Sequence, residues 1–321
     1  MTITELRYIV AVARERHFGR AASACFVSQS TLSIGVRKLE DELGVPLFER
    51  ARKEVTLTAK GEQIVEQAQR VLEEIDIIKQ MAESEKGPLV GALRIGAIHT
   101  IGPYLFPGLI PMLHEQAPEM PLIVQENFTA NLTTLLKQGQ LDVIIISYPY
   151  DEPGIVTMPL YDEPFVIVVP SAHPWAEKKT ISRDMLPEEN IMLLGAGNCF
   201  RDQVLEFCPD CLQASQQDIG LQQTLEGSSL ETIRHMVMSG IGISVFPATA
   251  AGAHGYTHRL LAVKRLSGKQ PVRRVALAWR KSFPRLQAIV TITQAIQQLD
   301  LSSVSMLPPG PEQVSFIDKI N

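Results

Sequence analysis

The sequence predicts an α/β protein in three parts: a small helical head, one long helix and a larger body. Three observations predict it. Residues 1–58 carry three short apolar patterns of helical spacing, followed by a brief alternating segment. Residues 59–86 contain no proline, and their one glycine, Gly61, falls in the first turn. Beyond Gly87-Pro88 the pattern changes to strand-length apolar runs alternating with helix-length segments, the mark of an α/β body. At 321 residues the chain is too long for one typical core.

In the head, Leu6, Ile9, Val10 and Ala13 make one helical face. Phe18, Ala21, Ala22 and Cys25 make a second, whose small residues permit close helix approach. After a break at Phe26-Val27, Ser28 is an N-cap for a third helix with Leu32, Val36, Leu39 and Leu43 inward, and Gly44 stops it. Two short helices so tightly joined read as a helix-turn-helix, with the third helix as the reader of base edges. The candidate DNA contacts are Ser28, Gln29, Ser30, Thr31, Ser33 and Arg37 on that helix. Arg52 and Lys53 join them at the tip of a β-hairpin wing formed by Leu47–Arg50 and Val55–Thr58. The plain alternative is a generic three-helix packing unit. The net charge of −5 excludes a protein basic all over. Residues 1–60, however, hold ten Lys/Arg against seven Asp/Glu, a basic head on an acidic body.

In the long helix, Ile64, Ala68, Val71, Ile75, Ile78 and Ala82 recur at alternating steps of four and three, a coiled-coil seam. Such a helix either lies on its own domain or acts as a dimer arm. As an arm it would present two reading heads to two half-sites of a pseudo-palindromic double-stranded DNA operator.

In the body, strands are expected at Leu93–Ile98, Leu122–Gln125, Val143–Ile146, Phe165–Val169, Ile191–Leu194, Ile243–Phe246 and Val275–Trp279. Helices are expected at Pro103–Gln116, Asn131–Gln138, Ser229–Ser239 and Arg285–Gln298. The alternation predicts largely parallel sheets. Thr100 and Thr129 follow the first two strands, where open α/β sheets bind ligands, although a threonine at such a position is more often structural. The last twenty residues, with Pro308-Pro309-Gly310-Pro311, read as a flexible tail.

The chemistry concentrates between Leu194 and Cys211, where three of the four cysteines fall within thirteen positions. Gly195 and Gly197 open a turn, Asn198 is a good N-cap, and a helix beginning at Cys199 puts Phe200, Val204, Phe207 and Cys208 on one face. In the first turn, helix dipole and free N–H groups should lower the Cys199 thiol pKa, with Arg201 placed to add positive charge. Cys208, on the apolar face, should be packed while reduced. Nine helical residues separate Cys199 from Cys208 by roughly 13 Å, and a disulfide tolerates about 7 Å between α-carbons. A bond between them would require the helix to unwind, as a switch does. Ordinary buried cysteines are the alternative. Cys208-x-x-Cys211 adds a third reading, a redox pair or half a metal site.

No Gly-rich phosphate loop, GxSxG or HExxH occurs, and the seven histidines are scattered, so no enzyme, no metal and no cofactor is expected. No run of eighteen apolar residues exists and the N-terminus lacks the features of a leader, so a cytoplasmic protein without membrane contact is expected.

The runs Phe18-Gly19-Arg20-Ala21-Ala22, Val27-Ser28-Gln29-Ser30-Thr31-Leu32-Ser33, Lys38-Leu39-Glu40 and Leu43-Gly44-Val45-Pro46-Leu47-Phe48-Glu49-Arg50 strongly resemble LysR-type transcriptional regulators. One departure is Ser30, where that family commonly has proline. The resemblance implies a winged helix-turn-helix over 1–58 and a dimerisation helix over 59–86. It further implies a periplasmic-binding-protein-like body of two Rossmann-like subdomains, at about 87–161 with 268–300 and at about 162–267, and leaves 301–321 as tail. Homodimers assembling to a homotetramer, and contact with RNA polymerase, are implied in the same way.

Gly197-x-Cys199-Phe200-Arg201-Asp202-Gln203, Asp162-Glu163-Pro164, His173-Pro174-Trp175, Ser229-Leu230-Glu231-Thr232 and Gly102-Pro103-Tyr104-Leu105 resemble the hydrogen-peroxide-sensing members of that family. Carried across, Cys199 would be the peroxidatic thiol and Cys208 the resolving thiol of a reversible Cys199–Cys208 disulfide that controls oxidative-stress genes. Thr100, Thr129, Gly197, Asn198 and Asp202 would hold peroxide and its hydrogen-bond network. Asn198, where many such members have histidine, and Cys211, which could compete with Cys208 as resolving thiol, depart from the pattern. Two other classes stay open: a regulator that binds a small metabolite in its cleft, its cysteines bystanders, and a thiol peroxidase.

Overall fold

A computed structural model of the chain describes residues 1–50, 55–84, 87–212, 229–252, 260–301 and 303–308. It divides into two compact units, Met1–Glu83 and Ser84–Asn321.

The first unit contains helices α1 (Ile3–Glu15), α2 (Phe18–Ala24) and α3 (Gln29–Leu43), the antiparallel strands β1 (Phe48–Arg50) and β2 (Val55–Leu57), and helix α4 (Ala59–Ser84). Local chemistry sets each boundary. Thr2 and Glu5 form a reciprocal capping box on α1. The Ser28 hydroxyl accepts the Thr31 N–H at 3.1 Å to start α3. The α3 end is tied to the hairpin by Glu40, whose Oε1 accepts the N–H groups of Leu47 at 2.7 Å and Phe48 at 3.2 Å. Ile9, Val12, Leu32, Val36, Leu39 and Leu47 are fully buried in one core, and Ala68 of α4 is buried with them. Gly61 makes that docking possible, because a Cβ there would collide with the Leu47 carbonyl oxygen. Further along the predicted seam, Val71 and Ile78 are exposed. The side chain of Ala82 and the whole of Arg52 and Lys53 lie outside the described residues.

The second unit runs β3 (Leu93–Ile98), α5 (Gly102–Gln116), β4 (Leu122–Asn127), α6 (Thr129–Lys137), β5 (Val143–Tyr148) and β6 (Ile155–Pro170). Then come β7 (Thr180–Ile181), β8 (Ile191–Met192), α7 (Cys199–Phe207), α8 (Leu230–Met238), β9 (Ile243–Pro247) and α9 (Ala248–Gly252). It closes with β10 (Leu261–Leu266), β11 (Val272–Arg280), α10 (Leu286–Gln298) and β12 (Ser305–Met306). Two hydrophobic cores form. One gathers residues from Leu93 to Tyr161 and from Val275 to Ile296; the other gathers residues from Phe165 to Leu266. The sixteen-residue strand β6 serves both.

The sheets are mixed, not largely parallel. β4, β3 and β5 are parallel, as βαβ crossovers require. β11 runs antiparallel to β5 and β6, and β9 and β10 run antiparallel to β6. The reason is connectivity: the chain leaves the first core along β6 and returns to it along β11, so the outgoing and returning strands oppose each other. Sequence periodicity misses β10, whose Lys264 and Arg265 interrupt the apolar pattern. The tail expectation is also corrected at its start. Ser305 and Met306 pair with Asp162 and Tyr161 of β6, and Val304 and Met306 pack on the first core. Residues 309–321 lie outside the described part.

Candidate functional site

The site grows from the segment between β8 and α7. Ile191 to Leu194 are buried in the second core, and the chain then turns at Gly197, whose φ of 88° is the left-handed conformation that favours glycine. Asn198 occupies the N-cap, but its side chain does not cap. Its Nδ2 donates to the Gly195 carbonyl at 3.0 Å instead, which pins the turn and leaves the first N–H groups of α7 to other partners. Phe200 and Val204 anchor α7 in the second core, with the Phe200 ring edge-on to Phe165 at 5.0 Å. Cys199, the first residue of the helix, packs against the first core. The thiol therefore sits where the two cores meet.

Three segments close around it: Ile98, His99 and Thr100 at the end of β3; Asn127, Phe128 and Thr129 where β4 passes into α6; Gly197, Asn198 and Cys199 at the start of α7. The first two follow the carboxyl ends of parallel strands, where such sheets bind ligands. The space they leave to the centre of a water-sized molecule is about 10 Å³, room for a single very small molecule. Of the positions the sequence singles out, Thr100, Thr129, Gly197, Asn198 and Cys199 line it. Asp202 does not; it is exposed one turn into α7. His99 and Phe128, which line the cavity and stack edge to face at 5.2 Å, carry no signal in the sequence.

Burial pushes the Cys199 thiol pKa up and is the strongest influence on it, contrary to the expectation of a lowered value. Opposing it are the charge of Arg273, a hydrogen bond from the Thr129 side chain and the Phe200 backbone N–H, while Asp202 adds to the rise. The helix N-terminus does act on the sulfur, but desolvation outweighs it. The cation that acts is Arg273 on β11, not Arg201, whose buried Nε has no hydrogen-bond partner among the described residues.

Arg273 organises the floor of the site. It is 1% exposed, its Nε donates to Glu163 Oε2 at 2.7 Å, and its two terminal nitrogens donate to Thr100 Oγ1 at 2.7 Å and the Thr100 carbonyl at 2.8 Å. Glu163 is fully buried as well, and also accepts from the backbone N–H and hydroxyl of Thr249. One signal for this pair is present in the sequence. The doublets Asp162-Glu163 and Arg273-Arg274 are complementary, and the β6–β11 register sets Glu163 against Arg273 and Asp162 against Arg274.

Cys208 follows the last residue of α7 and is buried, but it is not a free thiol. It is bonded to Cys211, which is fully buried, with α-carbons 5.5 Å apart. Cys199 and Cys25 are free. The turn after α7, in which the Cys211 N–H donates to the Cys208 carbonyl at 3.1 Å, brings this pair within disulfide reach while the helix stays intact. Among the described residues no three His, Cys, Asp or Glu side chains gather to hold a metal ion, and no helix is long and apolar enough to cross a membrane.

In the head, Ser28, Gln29, Ser30, Thr31 and Arg37 are exposed at and along α3 and Ser33 is half-buried. Ser28 spends its hydroxyl on capping, and also bonds the Ser30 and Thr31 hydroxyls at 2.8 Å. Phe26 and Ile34, exposed on the same head, are not singled out by sequence.

Residues 3–62 match the bacterial regulatory helix-turn-helix protein, lysR family, and residues 86–299 match the LysR substrate binding domain. The DNA-binding transcriptional dual regulator OxyR of Escherichia coli is 37% identical over 92% of this chain and 95% of its own. A full-length OxyR variant from Pseudomonas aeruginosa superposes with a TM-score of 0.76 at 49% identity, over 97% of this chain and 99% of that one. A hydrogen-peroxide-bound OxyR mutant from Corynebacterium glutamicum gives 0.59 at 30% identity, over 92% of each chain. With both of its units matched in order along almost its whole length, the chain belongs to the LysR family of bacterial regulators.

Proposed function

We propose that this protein is a DNA-binding transcription regulator that senses hydrogen peroxide through Cys199. The observation that carries the reading is the cavity of about 10 Å³ that sets Cys199 beside Thr100 and Thr129. It suits a molecule as small as peroxide at the thiol. Because Arg273 donates to Thr100 Oγ1, that hydroxyl keeps its own proton to donate to a guest. Relatives named as hydrogen peroxide-inducible genes activators support the same assignment.

In the first step the Cys199 sulfur forms a bond to one peroxide oxygen and the O–O bond breaks. The departing hydroxide takes the thiol proton and leaves as water, and Cys199 becomes a sulfenic acid. In the second step the Cys208 thiol attacks that sulfur, the S–O bond breaks, and a second water carries away the Cys208 proton. For this Cys208 must first be reduced, since here it is bonded to Cys211. The Cys199–Cys208 bond holds α7 unwound, and the altered contacts bias the assembly's reading heads. The regulator works in the cytoplasm as a homotetramer on a pseudo-palindromic operator, with RNA polymerase as its downstream partner, and turns over no substrate as an enzyme. Nuclease footprinting of fully reduced wild type and Cys199→Ser, with and without stoichiometric peroxide, tests this. The footprint should shift only for wild type with peroxide; an equal shift in Cys199→Ser, or none in wild type at any time after peroxide addition, would refute it.

A further inference from the structure

We infer that Cys211 is a second resolving thiol, which takes the disulfide over from Cys199 and ends the signal from within the protein. The inference rests on the peroxide-sensing reading above. It starts from the two cysteine pairs available to Cys208. Pairing with Cys199 spans the nine residues of α7, roughly 13 Å of helix rise, and needs α7 to unwind and Phe200 and Val204 to leave the second core. Pairing with Cys211 needs nothing to move. Its α-carbons lie 5.5 Å apart, both residues are buried in the second core, and the turn hydrogen bonds Cys208 N–H to Val204 and Cys211 N–H to Cys208 are all present. The two disulfides are isomers with the same count of electrons, so the intact helix and core decide between them, in favour of Cys208–Cys211.

The exchange is a single displacement. The Cys211 thiol loses its proton and its sulfur attacks the Cys208 sulfur of the Cys199–Cys208 bond. The Cys208–Cys211 bond forms, the Cys199–Cys208 bond breaks, and the electron pair leaves with Cys199, which takes up a proton. Nothing external is oxidised or reduced. Only Pro209 and Asp210 separate attacker and target, so the local concentration of the attacking thiol is high. Once released, Cys199 returns to the first turn of α7, where burial favours its protonated form over the opposing pull of Arg273 and Thr129.

This exchange has two consequences. The Cys199–Cys208 form is transient in wild type, because α7 rewinds when Cys211 completes the exchange. Protein already holding Cys208–Cys211 is refractory, because Cys208 has no thiol with which to capture a new sulfenic acid until a reductant opens that bond.

The test is a time course on full-length protein that has been fully reduced and desalted. Stoichiometric hydrogen peroxide is added, samples are quenched by acid and alkylated, and disulfide-linked peptides are measured by mass spectrometry. Wild type, Cys211→Ser and Cys211→Ala are compared. In wild type the Cys199–Cys208 peptide should rise and then fall about tenfold from its peak, while Cys208–Cys211 rises and Cys199 becomes alkylatable again. In the Cys211 variants Cys199–Cys208 should persist. If it persists equally in wild type with Cys211 alkylated throughout, the relay is overturned and the sensing reading stands. If no Cys199-linked disulfide forms in any of the proteins, the sensing reading falls and takes the relay with it. Should both variants fail to fold, the wild-type course alone decides, since a rise and fall supports the relay and a stable Cys199–Cys208 product refutes it.

Discussion

Replacing Arg273 by methionine tests how the candidate site is held together. Arg273 and Glu163 are both essentially excluded from solvent, and they face each other at 2.7 Å. Removing the guanidinium leaves the Glu163 carboxylate, among the described residues, to its Thr249 partners and strips Thr100 of two charged donors. Breaking a buried pair from one side costs roughly 3–5 kcal/mol. For a unit the size of the body, each kcal/mol shifts the melting temperature by about 2–4 °C, so Arg273→Met should lower it by roughly 6–20 °C. Glu163→Gln, which keeps an amide oxygen for Thr249 but loses its charge, should cost less when combined with Arg273→Met than when the two single effects are added. Scanning fluorimetry with urea titration on the four proteins reads this cycle, and Cys199 alkylation kinetics report the site at the same time. A shift below about 3 °C for Arg273→Met, or strictly additive effects, would show that the pair neither anchors the crevice nor positions Thr100.

Three further outcomes are expected. Since burial holds the Cys199 pKa above the ordinary thiol value and the thiolate is the reactive form, its oxidation rate should rise about tenfold per pH unit from roughly pH 6 to 8. Stopped-flow peroxide kinetics on Cys208→Ser would show this, and a plateau below neutral pH would contradict it. Gly61→Ala drives a Cβ into the Leu47 carbonyl, and should destabilise the head by about 1–3 kcal/mol, seen as a lower urea midpoint; an unchanged midpoint would mean that α4 does not dock as described. Val71→Asp with Ile78→Asp places charge on the exposed part of the α4 seam and should reduce the sedimenting mass about twofold or more, whereas an unchanged mass would rule out that seam as the dimer contact.

The head is legible in the sequence because its signals are local. Ser28, Gly44 and the Leu32-Val36-Leu39 face each act within a turn or two of helix, and the fold uses them as the sequence reads. The crevice is half legible. Thr100, Thr129 and Cys199 announce themselves by following strands or opening a helix, and the structure brings them together. Arg273 does not, because its burial depends on Glu163, 110 residues away, and on a strand register that no periodicity encodes. The direction of the Cys199 pKa shift escapes the sequence for a related reason: a helix N-terminus is visible there, while the desolvation that overrides it comes from the first core, which is assembled from distant segments. The cysteine pairing turns on a competition. Spacing marks Cys211 as a rival, but the geometry that favours it, a tight turn after an unbroken helix, belongs to the folded chain. The strand at Ser305–Met306 escapes because two residues carry no pattern at all.

The close fit of Gly61 against Leu47 has a mechanical meaning. With Ala68 in the same core, it welds the first part of α4 to the wing and the reading helix, so head and helix turn as one piece. The 26 residues of α4 make a shaft of about 39 Å. A tilt of roughly 5° at the far end of such a shaft displaces the other end by about 3.4 Å, one base step along a DNA strand. A lever of that length converts a small angular change at one end into a displacement of one base step at the other.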